Sequence, residues 1–225
     1  MRGRSNAISL STGDAARARF LSDPLGFMND NVIVVTFEGA DTDTLGDTPL
    51  DLCLIERAPL GGTAAKLGRP LGLFAIGTAG FAACVSYVKS VSSPFRAYFC
   101  PYRGGQTLGT VIGSKADFMF TTQMDGCSLG IGMANGMGER LIYHSNVGGN
   151  VGAQQTQLTG KMGVGIETVW EPKSYRMEFG QSELCSTTFG VRHRLLNTWR
   201  FYAQTYQRRY SNPDKFYLRD VKTVL

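Results

Sequence analysis

A cysteine and a histidine, Cys127 and His144, lie seventeen residues apart in a glycine-rich part of the chain. The chain contains only two histidines, and imidazole is the side chain most often used as a general base near neutral pH. A thiol attacks carbon as the thiolate, so a nucleophilic cysteine needs a nearby base or cation. The pair therefore predicts thiol chemistry with Cys127 as nucleophile and His144 as base.

The residues around Cys127 suit attack on an acyl carbon. Glycines at positions 126, 130 and 132 permit a substrate to approach closely. Backbone N–H groups beside the thiol could face the oxyanion of a tetrahedral intermediate. We therefore expect Gly126 and Ser128 to line an oxyanion and substrate site next to the nucleophile.

The order and spacing of the two residues exclude two large classes of cysteine hydrolase. Papain-type enzymes place the histidine well over a hundred residues after the cysteine, and caspases place it before the cysteine. Here the cysteine comes first and the separation is short. The pattern therefore indicates a different kind of Cys–His enzyme.

The segment Phe120-Thr121, followed by Gly126-Cys127 and then by Tyr143-His144, resembles the catalytic segment of a family of glutamine deamidases. The family comprises the cytotoxic necrotizing factors and Burkholderia lethal factor. The segment is more similar to Burkholderia lethal factor, where a Phe-Thr pair precedes a Leu-Ser-Gly-Cys element at the same distance. The chemotaxis receptor glutamine deamidases share the cysteine and the later histidine. The resemblance covers about 25 residues.

This resemblance implies an α+β fold, a mixed β-sandwich with peripheral helices and long loops. It implies hydrolysis of a glutamine side-chain amide in a host protein, a small GTPase or translation factor, without a cofactor. If an amine replaced water, the same site would crosslink proteins. A protein of this kind is secreted from a bacterium by a non-classical route and acts in the host cytosol.

Carried over to this sequence, the resemblance makes Thr121 the group that orients the imidazole of His144. Met124-Asp125 stands where the family has Leu-Ser. Asp125 therefore places a carboxylate at the substrate site, where it could disfavour the thiolate or hold a cationic imidazole.

Other interpretations stay open at this stage. The same pair would serve a cysteine peptidase or amidase, and a cysteine alone is more often a core residue than a nucleophile. A zinc site that adds Cys185 and His193 has spacings that match no structural zinc finger.

The chain from Arg192 onward holds eight basic and two acidic residues together with five aromatic ones between positions 199 and 210. It could be the anion-binding surface of a non-catalytic module. We favour a core strand or helix with a solvated charged face, and expect a monomer with no nucleic-acid partner.

The remaining pattern indicates a β-rich single domain. Residues 1–30 read as a polar leader, disordered or an export signal, and residues 31–225 as the catalytic domain.

Residues 148–157 read as a polar loop, and the uncharged residues 71–88 as a buried hairpin turning at 77–80 rather than a membrane span. Five cysteines at irregular spacing are expected to be reduced. We expect strands at 31–37, 50–56, 95–100, 107–112, 116–121, 162–170 and 174–179.

Overall fold

The computed structural model describes residues 12–35, 46–58, 61–82, 85, 87–147, 150–175, 182–209 and 211–225. Strands predominate among these residues. The helices are α1 (Thr12–Ser22), α2 (Pro24–Asp30), α3 (Ala79–Ala82), α4 (Val151–Met162) and α5 (Pro172–Tyr175). The strands are β1 (Asn31–Val34), β2 (Leu50–Arg57), β3 (Thr63–Lys66), β4 (Arg69–Gly77), β5 (Val88–Val91), β6 (Phe95–Cys100), β7 (Thr107–Ile112), β8 (Phe118–Thr121), β9 (Ser128–Gly132), β10 (Arg140–Ser145), β11 (Ile166–Trp170), β12 (Ser182–His193), β13 (Thr198–Arg209) and β14 (Asn212–Thr223).

Eight strands form a closed barrel. They follow the order β4, β3, β14, β13, β12, β8, β6 and β2, and hydrogen bonds between β2 and β4 close the ring. Strands β1 and β5 pair with β4 and β2 respectively. The predicted mixed β-sandwich with peripheral helices is therefore wrong, because the larger sheet closes on itself instead of stacking as an open layer.

The barrel interior is filled by large apolar side chains, as expected for eight strands. The cluster includes Phe74, Phe99, Phe120 and Phe189 from the strands. Phe20 of α1 contacts this cluster too, although its position falls in the segment expected to be a polar leader. Residues 12–30 of that segment are thus two helices, and residues 1–11 lie outside the described part of the chain.

A second sheet packs against the outside of the barrel. It has four antiparallel strands in the order β11, β9, β10 and β7. A second core cluster joins the two sheets, with Leu129 and Ile142 from the small sheet and Met119 and Phe201 from the barrel wall. Helix α4 covers the other face of the small sheet through Leu158 and Met162. The small sheet is therefore buried on both faces.

Most of the predicted strands are confirmed, including β2, β6 and β7, but four local predictions are wrong. The strand predicted at 162–170 begins only at Ile166, because α4 ends at Met162 and a 3₁₀ turn follows. Residues 71–88 are not a hairpin, because β4 and β5 both pair with β2 and not with each other. Residues 151–157, expected in a loop, belong to α4. Residues 174–175, expected in a strand, belong to α5, while 176–179 lie outside the described residues. No helix in the described segments is long and apolar enough to cross a membrane.

Candidate functional site

The site lies where the small sheet meets the barrel, and each sheet supplies part of it. Thr121 is the last residue of β8 in the barrel wall, and His144 lies in β10 of the small sheet. The Oγ1 atom of Thr121 is 2.7 Å from Nδ1 of His144. Both side chains are buried. The structure thus brings together two of the residues that the sequence predicted, across the interface between the sheets.

The hydrogen bonds of Thr121 fix the tautomer of His144. The Thr121 hydroxyl donates to the carbonyl oxygen of Cys100 at 3.3 Å. A hydroxyl has one proton to donate, so it accepts the bond from the imidazole, and Nδ1 carries the hydrogen. The lone pair of His144 is therefore on Nε2, which is the atom that can take a proton.

The Nε2 atom of His144 is buried and has no hydrogen-bond partner among the described residues. Burial in an apolar environment disfavours the imidazolium and lowers the pKa of His144 to about 3. His144 is therefore neutral in the folded protein at physiological pH. A neutral imidazole with a free Nε2 is the form that a general base requires.

Cys127 lies beside His144 on the same face of the small sheet. Strands β9 and β10 pair with Leu129 opposite His144 and Ser128 opposite Ser145. Cys127 comes one residue before β9, so it occupies the diagonal position relative to His144, where Cα atoms are roughly 7–8 Å apart. Cys127 also belongs to the core cluster between the two sheets. The register therefore predicts that Cys127 lies near His144, although the thiol and the His144 Nε2 atom make no hydrogen bond in this structure.

Both candidate catalytic side chains are enclosed. Cys127 and His144 are each 1% exposed. A glutamine side chain or other substrate can reach the sulfur only after neighbouring side chains move.

Two residues that the sequence analysis missed hold the backbone before and at Cys127. The Tyr175 hydroxyl accepts a hydrogen bond from the Gly126 N–H and donates one to the Cys127 carbonyl, both at 2.9 Å. The Gln154 amide of α4 donates to the Gly126 carbonyl at 2.9 Å. Gly126 has φ of 143°, which favours glycine. The backbone that precedes the thiol is thus fixed from two directions.

The expected oxyanion residues take other positions in this arrangement. The Gly126 N–H is bonded to Tyr175. The Ser128 side chain points to the α4 side of the sheet and donates to Gln154 Oε1 at 2.5 Å. Asp125 is exposed to solvent. Of these three residues, only Asp125 therefore presents a polar side chain to solvent next to the nucleophile segment.

The glycines of β9 serve packing rather than substrate approach. A Cβ atom at Gly130 would lie 2.8 Å from the Met162 sulfur and 3.0 Å from a Leu158 methyl carbon. At Gly132 it would lie 3.1 Å from the Leu141 carbonyl oxygen. These glycines let α4 and the neighbouring strand come close to β9. Gly130 and Gly132 therefore have a role in packing, in place of the expected role in substrate approach.

A second thiol and an aromatic ring complete the surroundings of His144. Cys100 donates weakly to the carbonyls of Leu108 and Ile142 at 3.8 and 3.7 Å, and burial raises the pKa of its thiol to about 12. Cys100 therefore stays protonated and is a poor nucleophile. The Tyr102 ring lies 5.1 Å from the imidazole centroid and confines it. No motif in the sequence marks Tyr102, Tyr175 or Gln154.

The geometry argues against the zinc alternative. Cys185 and His193 lie eight residues apart on the single strand β12, which separates them by about 26 Å at 3.3 Å per residue. One ion cannot contact both. The described residues contain no group of three or more His, Cys, Asp or Glu that could hold a metal.

The aromatic residues of the C-terminal stretch are largely core residues. Trp199, Phe201 and Tyr206 of β13 are buried, and Tyr202 is half-buried against the barrel interior. The stretch is thus a strand, as one of the two alternatives predicted. Rings inside the core cannot stack on nucleic-acid bases, so this observation weakens the anion-binding interpretation.

Comparisons with known proteins give similarity in structure but not in sequence. No family model matches the chain, and no curated protein matches it. The chain is similar in structure to the C-terminal domain of CNFy from Yersinia pseudotuberculosis, with a TM-score of 0.38 and 7% sequence identity over 94% of this chain and 97% of that one. A similarity of this size assigns neither family nor activity.

Proposed function

We propose that this chain is a toxin-type protein glutamine deamidase that uses Cys127 as nucleophile, His144 as base and Thr121 as the residue that orients the imidazole. The observation that carries the proposal is the 2.7 Å bond between Thr121 Oγ1 and His144 Nδ1. It leaves Nε2 as a proton acceptor on the face of the sheet that carries Cys127.

The reaction uses only groups of this chain and water. His144 Nε2 takes the thiol proton, and the thiolate attacks the carboxamide carbon of a glutamine side chain. The C–N bond breaks as the imidazolium returns the proton to the leaving nitrogen, which departs as ammonia. Water then attacks the thioester, gives its proton to Nε2, and releases glutamate and the thiol. Glutamine and water thus become glutamate and ammonia.

The buried site is suited to this chemistry once substrate has entered. In a water-poor environment thiolate and imidazolium attract each other more strongly than in water, which offsets part of the cost of burying the two charges. Desolvation lowers the pKa of His144 in the resting protein. A negative thiolate nearby raises that pKa, because it stabilises the imidazolium. The imidazole therefore becomes a stronger base at the moment the thiol ionises.

The setting of the activity is part of the same proposal. By its motif resemblance the protein is secreted by a bacterium through a non-classical route and acts as a monomer in the host cytosol. Its partner is a host protein with an exposed glutamine, in the small GTPase or translation factor classes. No cofactor is needed, because the steps above use a thiol, an imidazole and water.

The test is incubation of the full chain with a panel of small GTPases and translation factors in water enriched in heavy oxygen. Peptide mapping should find one glutamine converted to glutamate that carries the label, with the backbone intact. Cys127→Ala should abolish the conversion, and Cys53→Ala, which changes another buried thiol, should leave it unchanged. Conversion that survives in Cys127→Ala would refute the proposal, and backbone cleavage on a gel would support the peptidase alternative instead.

A further inference from the structure

A recess lies on the outer wall of the barrel, and Tyr175, whose hydroxyl bonds the backbone of Gly126 and Cys127, forms part of its lining. Its volume is about 230 Å³, which is below the roughly 300–1,000 Å³ of pockets for drug-sized ligands. Its walls include Tyr175 of α5, Leu184 of β12, Thr205 of β13 and Asp220 of β14. The size restricts an occupant to a small molecule.

Two polar atoms in this recess lack partners. Thr205 is 5% exposed, and its Oγ1 atom has no hydrogen-bond partner among the described residues. The Oδ1 atom of Asp220 is also buried without a partner. Thr205 pairs with Asp220 across β13 and β14, so the two side chains lie on the same face of the sheet. Buried polar atoms are normally bonded, so together they mark a place for a hydrogen-bond donor.

Cationic groups stand at the same recess. Lys222 Nζ lies 3.1 Å from the other carboxylate oxygen of Asp220. The pairing of β13 with β14 shifts register after Thr205, which leaves Arg219 as an extra residue that also lines the recess. Lys222 and Arg219 are exposed and keep N–H groups for an anion beyond the bonds that they make to Asp220 and to Gln207 Oε1 respectively. Asp220 Oδ1 and Thr205 Oγ1 need a donor.

Besides the charged and polar groups, the recess has an apolar wall, which indicates that the occupant also has an apolar part. Leu184 and the Tyr175 ring are 4% and 3% exposed respectively. They offer an apolar surface to a small aliphatic group. A ligand that matches every part of the recess carries an ammonium group, a carboxylate and an aliphatic side chain.

We propose that this recess binds a free aliphatic L-amino acid. Its ammonium group donates to Asp220 Oδ1 and Thr205 Oγ1, its carboxylate meets Lys222 and Arg219, and its side chain contacts Leu184. An internal residue of a peptide offers neither a free ammonium nor a free carboxylate on its backbone. The site is therefore specific for the free amino acid and is separate from the chemistry of Cys127.

The test is isothermal titration of the full chain with L-leucine, N-acetyl-L-leucine and isopentylamine. The last two compounds lack the ammonium and the carboxylate respectively. Leucine should bind, and each analogue should bind at least about tenfold more weakly, because each loses a charge-assisted hydrogen bond. Absence of binding by all three would show that the recess holds only water, and equal binding of leucine and both analogues would refute the recognition of both charges.

Variants locate the binding site. Thr205→Val keeps the shape of the side chain and removes the hydroxyl, and Asp220→Asn removes the charge; each should weaken leucine binding by about tenfold or more. Thr198→Val makes the same change at an exposed position of the same strand and should bind normally. Thermal unfolding checks that each variant is folded. If Thr205→Val does not fold, the leucine affinity of Asp220→Asn alone tests the proposal. Undiminished binding in the folded variants would place the site elsewhere.

The result is independent of the proposed deamidase activity. Cys127→Ala should retain leucine binding at the affinity of the unmodified chain, because the recess does not include the thiol. Loss of deamidation with intact leucine binding, or the reverse, would therefore separate the two proposals.

Discussion

The buried imidazole of His144 should make the stability of the fold depend on pH in a defined window. Burial lowers the pKa of His144 from the ordinary 6.5 to about 3. Between these two pH values the unfolded chain binds a proton on His144 and the folded chain does not. The free energy of unfolding therefore falls as pH falls from about 6.5 toward 3, and the full contribution of neutral burial is present above pH 6.5.

The size of the effect follows from the same two pKa values. At pH 4.5 the unfolded imidazole is protonated while the folded one is still largely neutral. The two-unit gap between 6.5 and 4.5 corresponds to about 3 kcal/mol of lost stability relative to pH 7, at about 1.4 kcal/mol per pH unit. A loss of this size is a large part of the total stability of a typical domain, which is roughly 5–15 kcal/mol.

The assay is urea unfolding of the unmodified chain and of His144→Asn at pH 7 and pH 4.5. Asparagine can place its amide nitrogen near the Nδ1 position and so keep a donor for Thr121. Carboxylates titrate in both proteins, so the quantity to compare is the difference between them. The unmodified chain should lose about 3 kcal/mol more than the variant on acidification. Equal losses in the two proteins would refute the buried neutral imidazole.

Three further predictions concern how the fold supports the site. Tyr175→Phe should lower the free energy of unfolding by about 1–3 kcal/mol, because two backbone groups lose their partner. Chemical denaturation measures the loss, with Tyr87→Phe, which changes an exposed ring, as the control. Equal stability of the two variants would argue against the Tyr175 hydrogen bonds. Gly130→Ala should lower stability by about 1–3 kcal/mol, because the added methyl group overlaps α4. Gly160→Ala, whose methyl group meets open space on α4, should raise stability by about 0.5–1 kcal/mol. Thermal melts in which the two changes have the opposite signs would contradict the packing. Gln204→Leu removes three hydrogen bonds that tie residues 28–33 to the barrel and should cost about 3 kcal/mol or more; unchanged proteolysis of the N-terminal helices would contradict this role.

The sequence predicted local strands well because their signal is local. Strand β7 runs over residues 107–112 as predicted, and β2 and β6 match within one residue. The alternation of apolar and polar residues that marks β2, and the β-branched and aromatic residues of β6 and β7, need no information from elsewhere in the chain. Closure of the barrel, in contrast, depends on the pairing of Cys53 with Gly77 and their neighbours. Such pairing leaves no pattern in either strand alone.

The error at residues 148–157 has a physical explanation that the sequence contained. Glycine, asparagine and glutamine are frequent there, which favours a loop. Yet Asn150 caps the helix by accepting from the N–H groups of Gly152 and Ala153. Gln154, Leu158 and Met162 then follow at four-residue spacing and are the buried positions of α4. A cap followed by helical periodicity was the stronger signal.

The candidate site was predicted in part. The pairing of Thr121 with His144 came from a resemblance of motif, and the structure places the two side chains in contact. Tyr102, Gln154 and Tyr175 could not be found in this way, because each lies far along the chain from the residues it supports. Their roles depend on how the sheets and helices pack.

The bond between Thr121 and His144 is one of several side-chain hydrogen bonds that join the barrel to the small sheet. A chain in which only the barrel has formed has the threonine in place but no imidazole beside it. A chain in which only the small sheet has formed has the imidazole but not the threonine that bonds its Nδ1 atom. The orientation of the His144 imidazole therefore depends on the docking of the two sheets, because neither sheet alone contains both partners of the bond.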